Sequence, residues 1–381
     1  MAHVAPRMGN ASTMHPTDTQ FLHHAIRIGM RHLGRTWPNP SVGCVLVKDG
    51  QVIATAATAE TGRPHAETQA LEQAGERARG ATAYVTLEPC AHHGVTPPCA
   101  RALIAAGIAR VVIGAHDHDP RVAGKGSAML REAGIAVDDL ELPNAAALHR
   151  GFFRRVRHGL PEVLMKLATS ADGHMADPAA QQRWITGETA RMHGHTLRNQ
   201  VDAVLTGIGT VLADDPLLTV RLPGVRHERL VRVVADRSLR TPLECQLVRT
   251  AEQQASWIIT TPEGVERAAS HATDLRERGV KLLVLEGDLT AEQLARCLTS
   301  EGITRVLVEG GPKLSTAFLK ARLVDRLYWY RSTQLLGKAG QPAIGALDSA
   351  LINAAERRGH RILPLAADTC ELIEYRSCLP D

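Results

Sequence analysis

Aromatic residues are scarce in this chain, which has four Trp, four Tyr and four Phe among 381 residues. Because hydrophobic residues still make up 44% of the sequence, aliphatic and small side chains must form most of its buried surface. The length suits two domains, each with its own core, and exceeds that of one ordinary domain. Plentiful alanine, glycine and arginine suit a soluble α/β enzyme with small residues at helix and strand contacts.

Long runs of one charge are also missing. The net charge of +4 with neutral histidines is spread along the chain, so no basic arm for nucleic acid and no membrane-surface patch is predicted. A small substrate that carries phosphate remains compatible with this balance.

Membrane, secretion and disulfide signals are lacking too. No run of residues is long and apolar enough to span a bilayer, and residues 1–17 have no signal-peptide core. The chain has seven cysteines, an odd number, and two of them belong to a metal-ligand pattern. Such cysteine usage is typical of a protein in a reducing compartment. We therefore expect a cytoplasmic protein with a disordered tail at 1–17.

The chain has no complete dinucleotide-binding fingerprint. Gly207-Ile208-Gly209-Thr210 follows a predicted strand, but Leu212 occupies the position of the third glycine. A second glycine step, Glu309-Gly310-Gly311, lies between an apolar strand and a helical segment at 314–321. Its bare amides are suited to a cofactor phosphate, although a plain strand-to-helix turn explains either glycine step equally well.

A metal-ligand pattern is present in the first third of the chain. His65-Ala66-Glu67 is followed by Glu88-Pro89-Cys90 and then by Cys99. One imidazole and two thiolates leave a tetrahedral zinc ion with one open position, as in catalytic sites. Zinc nucleobase deaminases use this order of residues, with a glutamate that moves protons while zinc activates water. The pattern predicts a zinc deaminase with ligands His65, Cys90 and Cys99 and with Glu67 as the proton carrier.

A closed structural zinc site is the main alternative. The interval from Cys90 to Cys99 is longer than the usual two-residue gap and contains His92 and His93, either of which could be a fourth ligand. Glu67 favours the catalytic interpretation, since a structural site needs no proton carrier. Pro97-Pro98 favours it too, because these prolines suit the start of a helix whose free amides stabilise a thiolate.

Hydrophobic periodicity predicts two helix-covered sheets, in domains at 18–150 and 162–381, joined by a basic linker at 151–161. The first domain is predicted to contain helices 18–33, 65–78, 99–106 and 125–133 and strands 42–47, 51–56, 82–86, 110–114 and 135–137. The second is predicted to contain helices 188–199 and 314–321 and strands 163–169, 203–206, 231–235, 256–260, 282–285, 305–308, 326–330 and 369–375.

Motifs in both halves resemble those of the bifunctional riboflavin-biosynthesis deaminase/reductase family. In the first half they are Pro38-Asn39-Pro40-Ser41-Val42-Gly43-Cys44, His65-Ala66-Glu67, Tyr84-Val85-Thr86-Leu87-Glu88-Pro89-Cys90 and Thr96-Pro97-Pro98-Cys99. In the second half they are Lys166 to Gly173, Trp184-Ile185-Thr186, Gly209 to Pro216, Arg221 and Val308-Glu309-Gly310-Gly311. The resemblance implies an α/β protein with an N-terminal cytidine-deaminase-like zinc domain and a C-terminal dihydrofolate-reductase-like domain.

The resemblance also implies two reactions. The first domain would hydrolytically deaminate a diaminopyrimidinone that carries a phosphoribosylamino group, and the second would reduce its ribosyl group to ribityl with NADPH. Zinc and NADPH are therefore the expected cofactors, and a phosphorylated pyrimidine is the expected small-molecule substrate. We expect a homo-oligomer, either a dimer or a tetramer.

Site residues follow from the same resemblance. Glu67, Lys166 and Asp214 are the catalytic candidates, with Lys166 stabilising negative charge and Asp214 exchanging a proton. Asp214 has an alternative role, as a cap of the turn before Pro216. Substrate-binding candidates are Asn39, His92, Asp117, Asp119, Ser170, Trp184, Arg191, Asp214, Arg221 and Glu309. Cofactor-binding candidates are Ala168, Thr186, Gly207, Thr210, Gly310 and Gly311.

Five positions depart from the family pattern. Thr58 stands where histidine is usual, and Val95 where a lysine or arginine is usual; both belong to the expected substrate rim. His174 replaces a basic residue, and Ser332-Thr333 replaces Ala-Pro. One alternative function is therefore a paralogue acting on the same or a related pyrimidine in another pathway, such as toxoflavin-type synthesis. Another is a deaminase whose second domain is not catalytic. A tRNA-editing deaminase is disfavoured by the second domain and by the missing basic arm.

Overall fold

The computed structural model describes residues 16–92, 97–120, 122–175, 184–337, 340–347 and 357–375. By their internal contacts these residues form two units. The first comprises the chain up to His32 together with Ser41–Ala59 and Arg63–His149. The second comprises Leu33–Pro40, Glu60–Gly62 and the chain from Arg150 onward.

The first unit is built on a five-stranded sheet. Its helices are α1 (Pro16–Met30), α2 (Ala66–Ala74), α3 (Cys99–Ala105), α4 (Lys125–Glu132) and the first half of α5 (Pro143–His158), with a 3-10 turn at Gly75–Ala78. Its strands are β1 (Gly43–Lys48), β2 (Gln51–Ala57), β3 (Thr82–Val85), β4 (Arg110–Ile113) and β5 (Ala136–Asp139). The strand order is β2-β1-β3-β4-β5, in which β1 is antiparallel to both neighbours and the last three strands are parallel.

Close packing of α1 on β1 depends on a glycine. A Cβ atom at Gly43 would lie 1.9 Å from the carbonyl oxygen of Ala25, so no larger residue fits without moving the helix. Leu22, Ala25 and Val45 are fully buried at this contact. This packing allows a core with few aromatic side chains.

The second unit is built on a nine-stranded sheet. Its main strands are β6 (Glu162–Thr169), β8 (Ala203–Gly207), β9 (Val231–Ala235), β10 (Ser256–Thr260), β11 (Lys281–Val284), β12 (Arg305–Val308), β13 (Arg326–Arg331), β15 (Arg357–Leu365) and β16 (Asp368–Tyr375). A small separate sheet pairs β7 (His174–Met175) with β14 (Gln341–Pro342). The helices are α6 (Glu188–Arg198), α7 (Ile208–Asp214), α8 (Gln246–Arg249), α9 (Pro262–Arg267), α10 (Ala269–Glu277), α11 (Ala291–Ser300) and α12 (Pro312–Lys320).

Strand order in the large sheet is β11-β10-β9-β8-β12-β6-β13-β16-β15. The strands from β11 to β13 are parallel, and β16 and β15 add antiparallel pairs. Successive residues of β6 enter different core layers, with Met165 and Leu167 in one and Leu164 in the other. Because β8, β12 and β6 are parallel neighbours, the residues that follow them lie at one edge of the sheet.

The prediction of a linker at 151–161 was wrong, because residues 151–158 belong to α5. Two apolar residues of this helix, Leu148 and Phe153, are buried. Arg154 donates to Asp325 Oδ1 at 2.6 Å and to the Pro161 carbonyl at 3.1 Å. One basic residue of this stretch, Arg154, therefore pairs with a distant acid from within a folded helix.

Two further boundaries differ from the sequence prediction. Most of the predicted tail, residues 1–15, lies outside the described residues, and Pro16 and Thr17 begin α1. Strand β15 was not predicted, because its sequence shows no strand periodicity. Pairing with β16 fixes this segment as a strand. None of the helices in the described ranges is long and apolar enough to cross a membrane.

Candidate functional site

His65, Cys90 and Cys99 come together in the first unit. His65 precedes α2 as its N-cap, Cys90 lies in the loop after β3, and Cys99 begins α3. The Nδ1 atom of His65 lies 3.3 Å from Sγ of Cys99 and 3.7 Å from Sγ of Cys90. All three ligand atoms lie within 4.8 Å of one another. Nitrogen and sulfur donors at this spacing fit a tetrahedral zinc ion.

The start of α3 stabilises the thiolate form of Cys90. The backbone amide of Cys99 donates to Sγ of Cys90 at 3.3 Å. Hydrogen bonds from the Cys99 thiol and from His65 lower the pKa of Cys90 to about 4. This is the sulfur environment that a metal ligand needs, since the thiolate is the binding form.

A fourth protein ligand is absent from this group as far as the described residues extend. No further His, Cys, Asp or Glu joins the three ligands there. His92 is described, half-buried and outside the group. His93 and Val95, which the sequence also singled out, lie outside the described residues. Among the described residues the group therefore consists of three ligands, and His92 is not a fourth.

Glu67 lies in the first turn of α2, and its residue is only 3% exposed. Burial raises the pKa of its carboxyl group. Its Oε2 atom has no hydrogen-bond partner among the described residues. A buried carboxylate oxygen with spare capacity, two residues from a zinc ligand, fits the predicted proton carrier.

The other predicted substrate residues of the deaminase occupy two loops. Asp117 and Asp119 are buried, and the Asp119 amide donates to Oδ1 of Asp117 at 2.7 Å. Burial raises the pKa of Asp117 to about 7. Asn39 belongs to the second unit, where its Nδ2 donates to the Gly62 carbonyl at 2.8 Å.

Thr58 is not an exposed rim residue, so this expectation was wrong. The residue is 1% exposed, and its hydroxyl accepts the Val42 amide at 3.0 Å. Its own amide donates to the Val42 carbonyl at 2.9 Å. Thr58 therefore fixes the strand ends, and its difference from the family pattern does not indicate a lost surface contact.

In the second unit, Lys166 and Glu309 meet between neighbouring strands. Lys166 lies on β6, and Glu309 directly follows β12. The Nζ atom of Lys166 is 3.6 Å from Oε2 of Glu309. Arg198, at the end of α6, donates to both Glu309 oxygens, at 2.6 Å and 3.0 Å. Burial alone would raise the pKa of Glu309, but Arg198 and Lys166 lower it to about 2.

Arg198 was missed by the sequence analysis. The two residues of its ion pair are 111 positions apart, and no motif marks their contact. The only available signal was a basic residue in the last turn of a predicted helix. His195, one turn earlier, is also buried, and burial followed by the nearby charges of Arg198 and Arg221 lowers its pKa to about 4.

Trp184, Thr186 and Arg191 form a second cluster. The guanidinium carbon of Arg191 lies 5.1 Å from the Trp184 ring centroid, and Nη1 of Arg191 donates to the Thr186 carbonyl at 2.7 Å. Trp184 is 49% exposed. The cluster therefore offers a ring and a cation to a ligand beside a buried threonine.

The two glycine steps lie beside each other at the edge formed by β8 and β12. Gly207 is the N-cap of α7, and Gly311 is the N-cap of α12. A Cβ atom at Gly311 would lie 3.9 Å from the Thr210 hydroxyl, and one at Gly207 would meet no described atom within 4 Å. Gly310 precedes the second cap. The open backbone positions at Gly207 and Gly311, each at a helix start, fit a cofactor phosphate group, whereas a Cβ atom at Gly310 would lie 2.8 Å from Cδ2 of Leu314.

The remaining predicted reductase residues differ in their burial and in the elements that carry them. Ala168 is half-buried on β6, on the same face as Lys166. Asp214 is exposed at the end of α7, whereas Asp215 adopts φ 40° and accepts the Gln246 amide at 2.7 Å. Asp215 therefore contributes a hydrogen bond at the turn before Pro216, and the two roles predicted for Asp214, proton exchange and turn cap, stay predictions.

Ser170 and Arg221 contact protein groups in this structure. Ser170 is fully buried, and its hydroxyl donates to Asp172 at 2.5 Å and accepts the His174 amide at 3.1 Å. These contacts form a turn, and the assignment of Ser170 to the substrate stays a prediction. Arg221 is exposed, and its amide donates to Nδ1 of His195 at 3.3 Å.

Comparisons with known proteins agree with this arrangement. The cytidine and deoxycytidylate deaminase zinc-binding region matches residues 15–115, and the RibD C-terminal domain matches residues 161–356. The riboflavin biosynthesis protein RibD of Actinobacillus pleuropneumoniae is 40% identical over 334 residues, covering 86% of this chain and 87% of the relative.

Two solved structures have the same fold over nearly the whole chain. Acinetobacter baumannii RibD superposes with a TM-score of 0.83 at 37% identity, covering 94% of this chain and 99% of that one. A diaminohydroxyphosphoribosylaminopyrimidine deaminase/5-amino-6-(5-phosphoribosylamino)uracil reductase from Thermotoga maritima superposes with a TM-score of 0.80 at 34% identity, covering 95% and 99%.

The two units and their sites thus define a bifunctional enzyme, a zinc-binding deaminase followed by a reductase. The chain belongs to the RibD family of riboflavin biosynthesis, as the sequence motifs predicted. The predicted fold class of two α/β domains is confirmed. Zinc is accordingly the cofactor of the deaminase, and NADPH remains the predicted cofactor of the reductase.

Proposed function

We propose that this chain carries out two successive reactions on one phosphorylated pyrimidine of riboflavin biosynthesis. The first is hydrolytic deamination of the diaminohydroxyphosphoribosylaminopyrimidine, and the second is reduction of the phosphoribosylaminouracil that results. The observation that carries the proposal is the group of His65, Cys90 and Cys99 with buried Glu67 beside it. The names of the RibD relatives support the choice of substrate.

Deamination requires a bound metal and a group that moves protons. Zinc held by His65, Cys90 and Cys99 would supply a Lewis acid that activates water. Glu67 carries the two protons of that water in turn through its unpartnered Oε2 atom, one to a ring nitrogen of the pyrimidine and one to the departing amine. A carbon–oxygen bond forms at the ring carbon, the carbon–nitrogen bond to the amino group breaks, and ammonia leaves.

The reductase step requires a hydride donor and a positioned charge. NADPH supplies the hydride, which ends on the ribosyl carbon that bears the amino substituent. Lys166 stabilises the negative charge that develops on the ribosyl oxygen as its bond to that carbon breaks. Asp214 exchanges the proton that this oxygen acquires. Arg198 and Glu309 hold Lys166 in place through the contacts at 2.6 Å, 3.0 Å and 3.6 Å.

Ligand contacts are assigned around these groups. We assign Thr186, Ala168, Gly207, Thr210, Gly310 and Gly311 to NADPH, because Gly207 and Gly311 are open positions at helix starts. We assign Trp184, Arg191, Arg221 and Glu309 to the reductase substrate, and Asn39, His92, Asp117 and Asp119 to the deaminase substrate.

Cellular location and assembly complete the proposal. We place the enzyme in the cytoplasm, which the unpaired state of all cysteines in the described ranges supports. We also propose a homo-oligomer, either a dimer or a tetramer. Ile362 on the edge strand β15 is 58% exposed, and an uncovered edge with a large apolar residue favours association.

An assay that separates the two reactions tests the proposal. The purified protein should release ammonia from the diaminopyrimidine without NADPH, and should consume NADPH only once deaminated product is present. Glu67→Gln should block ammonia release yet still oxidise NADPH when the deaminated intermediate is supplied. Failure of the parent to consume NADPH with that intermediate would instead support a non-catalytic second domain.

A further inference from the structure

Glu88, two residues before the predicted zinc ligand Cys90, has no role in the site described so far. Its residue is 3% exposed, and backbone amides bind both carboxylate oxygens. Gly124 donates to Oε2 and Ser127 donates to Oε1, each at 3.0 Å. These amides lie at the N-terminus of α4, where the helix dipole also favours a negative charge. The carboxylate therefore joins the loop that carries Cys90 to the start of α4.

Close packing at Gly126 strengthens the same junction. A Cβ atom at this position would lie 1.9 Å from the Pro89 carbonyl oxygen and 3.3 Å from Oε1 of Glu88. Helix α4 therefore rests directly on the backbone between Glu88 and Cys90. The Glu88 amide also donates to the Ala115 carbonyl at 3.0 Å, which fixes the other side of the loop.

The clamp formed by Glu88 and the start of α4 connects two functional segments. On one side, Cys90 accepts the Cys99 amide at its sulfur and the Ala100 amide at its carbonyl, at 3.3 Å and 3.2 Å. On the other side, the turn before α4 is closed by the amides of residues 122 and 123, which both donate to the Asp119 carbonyl at 2.8 Å. Movement of α4 would therefore shift both the sulfur ligand and the loop that carries Asp117 and Asp119.

We propose that Glu88 is a positioning residue for the zinc site, which holds Cys90 in its ligand position by clamping the loop to α4. The inference rests on the proposed zinc site and adds a residue that touches neither metal nor substrate. It requires two acceptor oxygens, because each of the facing groups is an N–H donor. An amide side chain of the same shape supplies only one.

Glu88→Gln tests the clamp with almost no change in volume. In this variant an NH2 group replaces one carboxylate oxygen and faces a backbone N–H, so two donors meet. The loop therefore loses one hydrogen bond, and the side chain loses its negative charge. We expect zinc affinity, measured by competition with a chelator, to fall about 10-fold or more, the range found when supporting groups of a metal site are lost. The absorption bands of the cobalt-substituted protein should shift, because they report ligand geometry. Glu132→Gln, at the exposed far end of the same helix, is the matched control.

The inference is overturned if Glu88→Gln matches the parent and Glu132→Gln in both zinc affinity and cobalt spectrum. If Glu88→Gln does not fold, Gly126→Ala provides the second test, since its added Cβ displaces the Pro89 carbonyl while leaving the carboxylate intact. Unchanged zinc affinity in that variant also overturns the inference. A parent protein that binds no zinc at all refutes the proposed deaminase itself, which is a different result from an unaffected Glu88 variant.

Discussion

Arg198 donates two parallel hydrogen bonds to Glu309, from Nε to Oε1 at 2.6 Å and from Nη2 to Oε2 at 3.0 Å. Both side chains are mostly buried, at 14% and 9% exposure. Lys166 lies 3.6 Å from the same carboxylate. The orientation of the predicted catalytic lysine therefore depends on a residue 32 positions further along the chain, at the end of another element.

Removing Arg198 should impair both stability and reduction. Arg198→Met leaves the buried carboxylate with Lys166 alone, and breaking one side of a buried ion pair typically costs about 3–5 kcal/mol. We expect a lower free energy of unfolding for the second unit and slower NADPH oxidation. Arg198→Lys keeps the positive charge but cannot form both parallel hydrogen bonds, so its losses of stability and of reductase activity should be intermediate. Equal losses in both variants would show that the paired geometry is unimportant.

The low pKa of Glu309 predicts how acid affects stability. Its folded pKa of about 2 lies below the ordinary 4.5, so folding favours the ionised carboxylate. This contribution is fully present above pH 4.5 and is lost as the pH falls toward about 2. Its size is on the order of 3 kcal/mol, since one pKa unit corresponds to about 1.4 kcal/mol. Denaturant unfolding across this interval should show a shallower pH dependence for Glu309→Gln than for the parent, and identical slopes would contradict the assignment.

Metal removal should separate the two activities. The purified protein should contain about one zinc per chain, as three ligands and an open position require. Chelation should abolish deamination while NADPH oxidation with the deaminated intermediate continues. Glu67→Gln should keep the zinc and lose deamination by about 100-fold or more, the lower end of the general acid–base contribution. Zinc loss in this variant would assign Glu67 to the metal shell instead.

Introducing the usual family residue at Thr58 should destabilise the protein. Thr58→His places a larger imidazole ring at a position whose side chain is only 1% exposed. It also removes the hydroxyl that accepts the Val42 amide. Overpacking and a lost buried hydrogen bond each cost about 1–3 kcal/mol. We expect a lower thermal midpoint and no lower Michaelis constant for the deaminase substrate. Thr58→Ser, which keeps the hydroxyl, is the control, and a stable Thr58→His protein with tighter substrate binding would restore the rim interpretation.

The sequence predicted the zinc group because its information is local. His65 and Glu67 lie at the start of one helix, Cys90 follows one strand, and Cys99 starts the next helix. Ligand chemistry restricts the residue types, so few other interpretations fit. Strands such as β9, β10 and β12 were likewise predicted with their observed bounds, because they are short segments rich in β-branched and other apolar residues.

The features that the sequence did not predict depend on distant partners. The pairing of Arg198 with Glu309 joins residues 111 positions apart. Part of helix α5 was predicted to be a linker because its sequence is basic, and no local pattern marks the pairing of its Arg154 with Asp325, 171 positions away. Thr58 stands between Ala57 and Ala59, and this local sequence gave no sign that its hydroxyl serves a strand end. Tertiary contacts decide such cases, and local patterns carry little information about them.

Asp214 provides the sharpest test of the reductase assignment, because its neighbour separates structure from chemistry. Asp215 holds the turn with φ 40° and accepts the Gln246 amide, whereas Asp214 is exposed at the end of α7. We therefore expect Asp214→Asn to preserve folding and NADPH binding but to slow reduction by at least about 100-fold, as for a lost proton-transfer group. Asp215→Ala should lower stability but leave reduction largely intact. Alanine tolerates the left-handed backbone at this position less well than aspartate does, and the hydrogen bond to the Gln246 amide is lost. Single-turnover hydride transfer and the thermal midpoint of the second unit measure the two effects, and deamination by each variant checks the first unit. Unchanged hydride transfer in Asp214→Asn would assign the proton to another group.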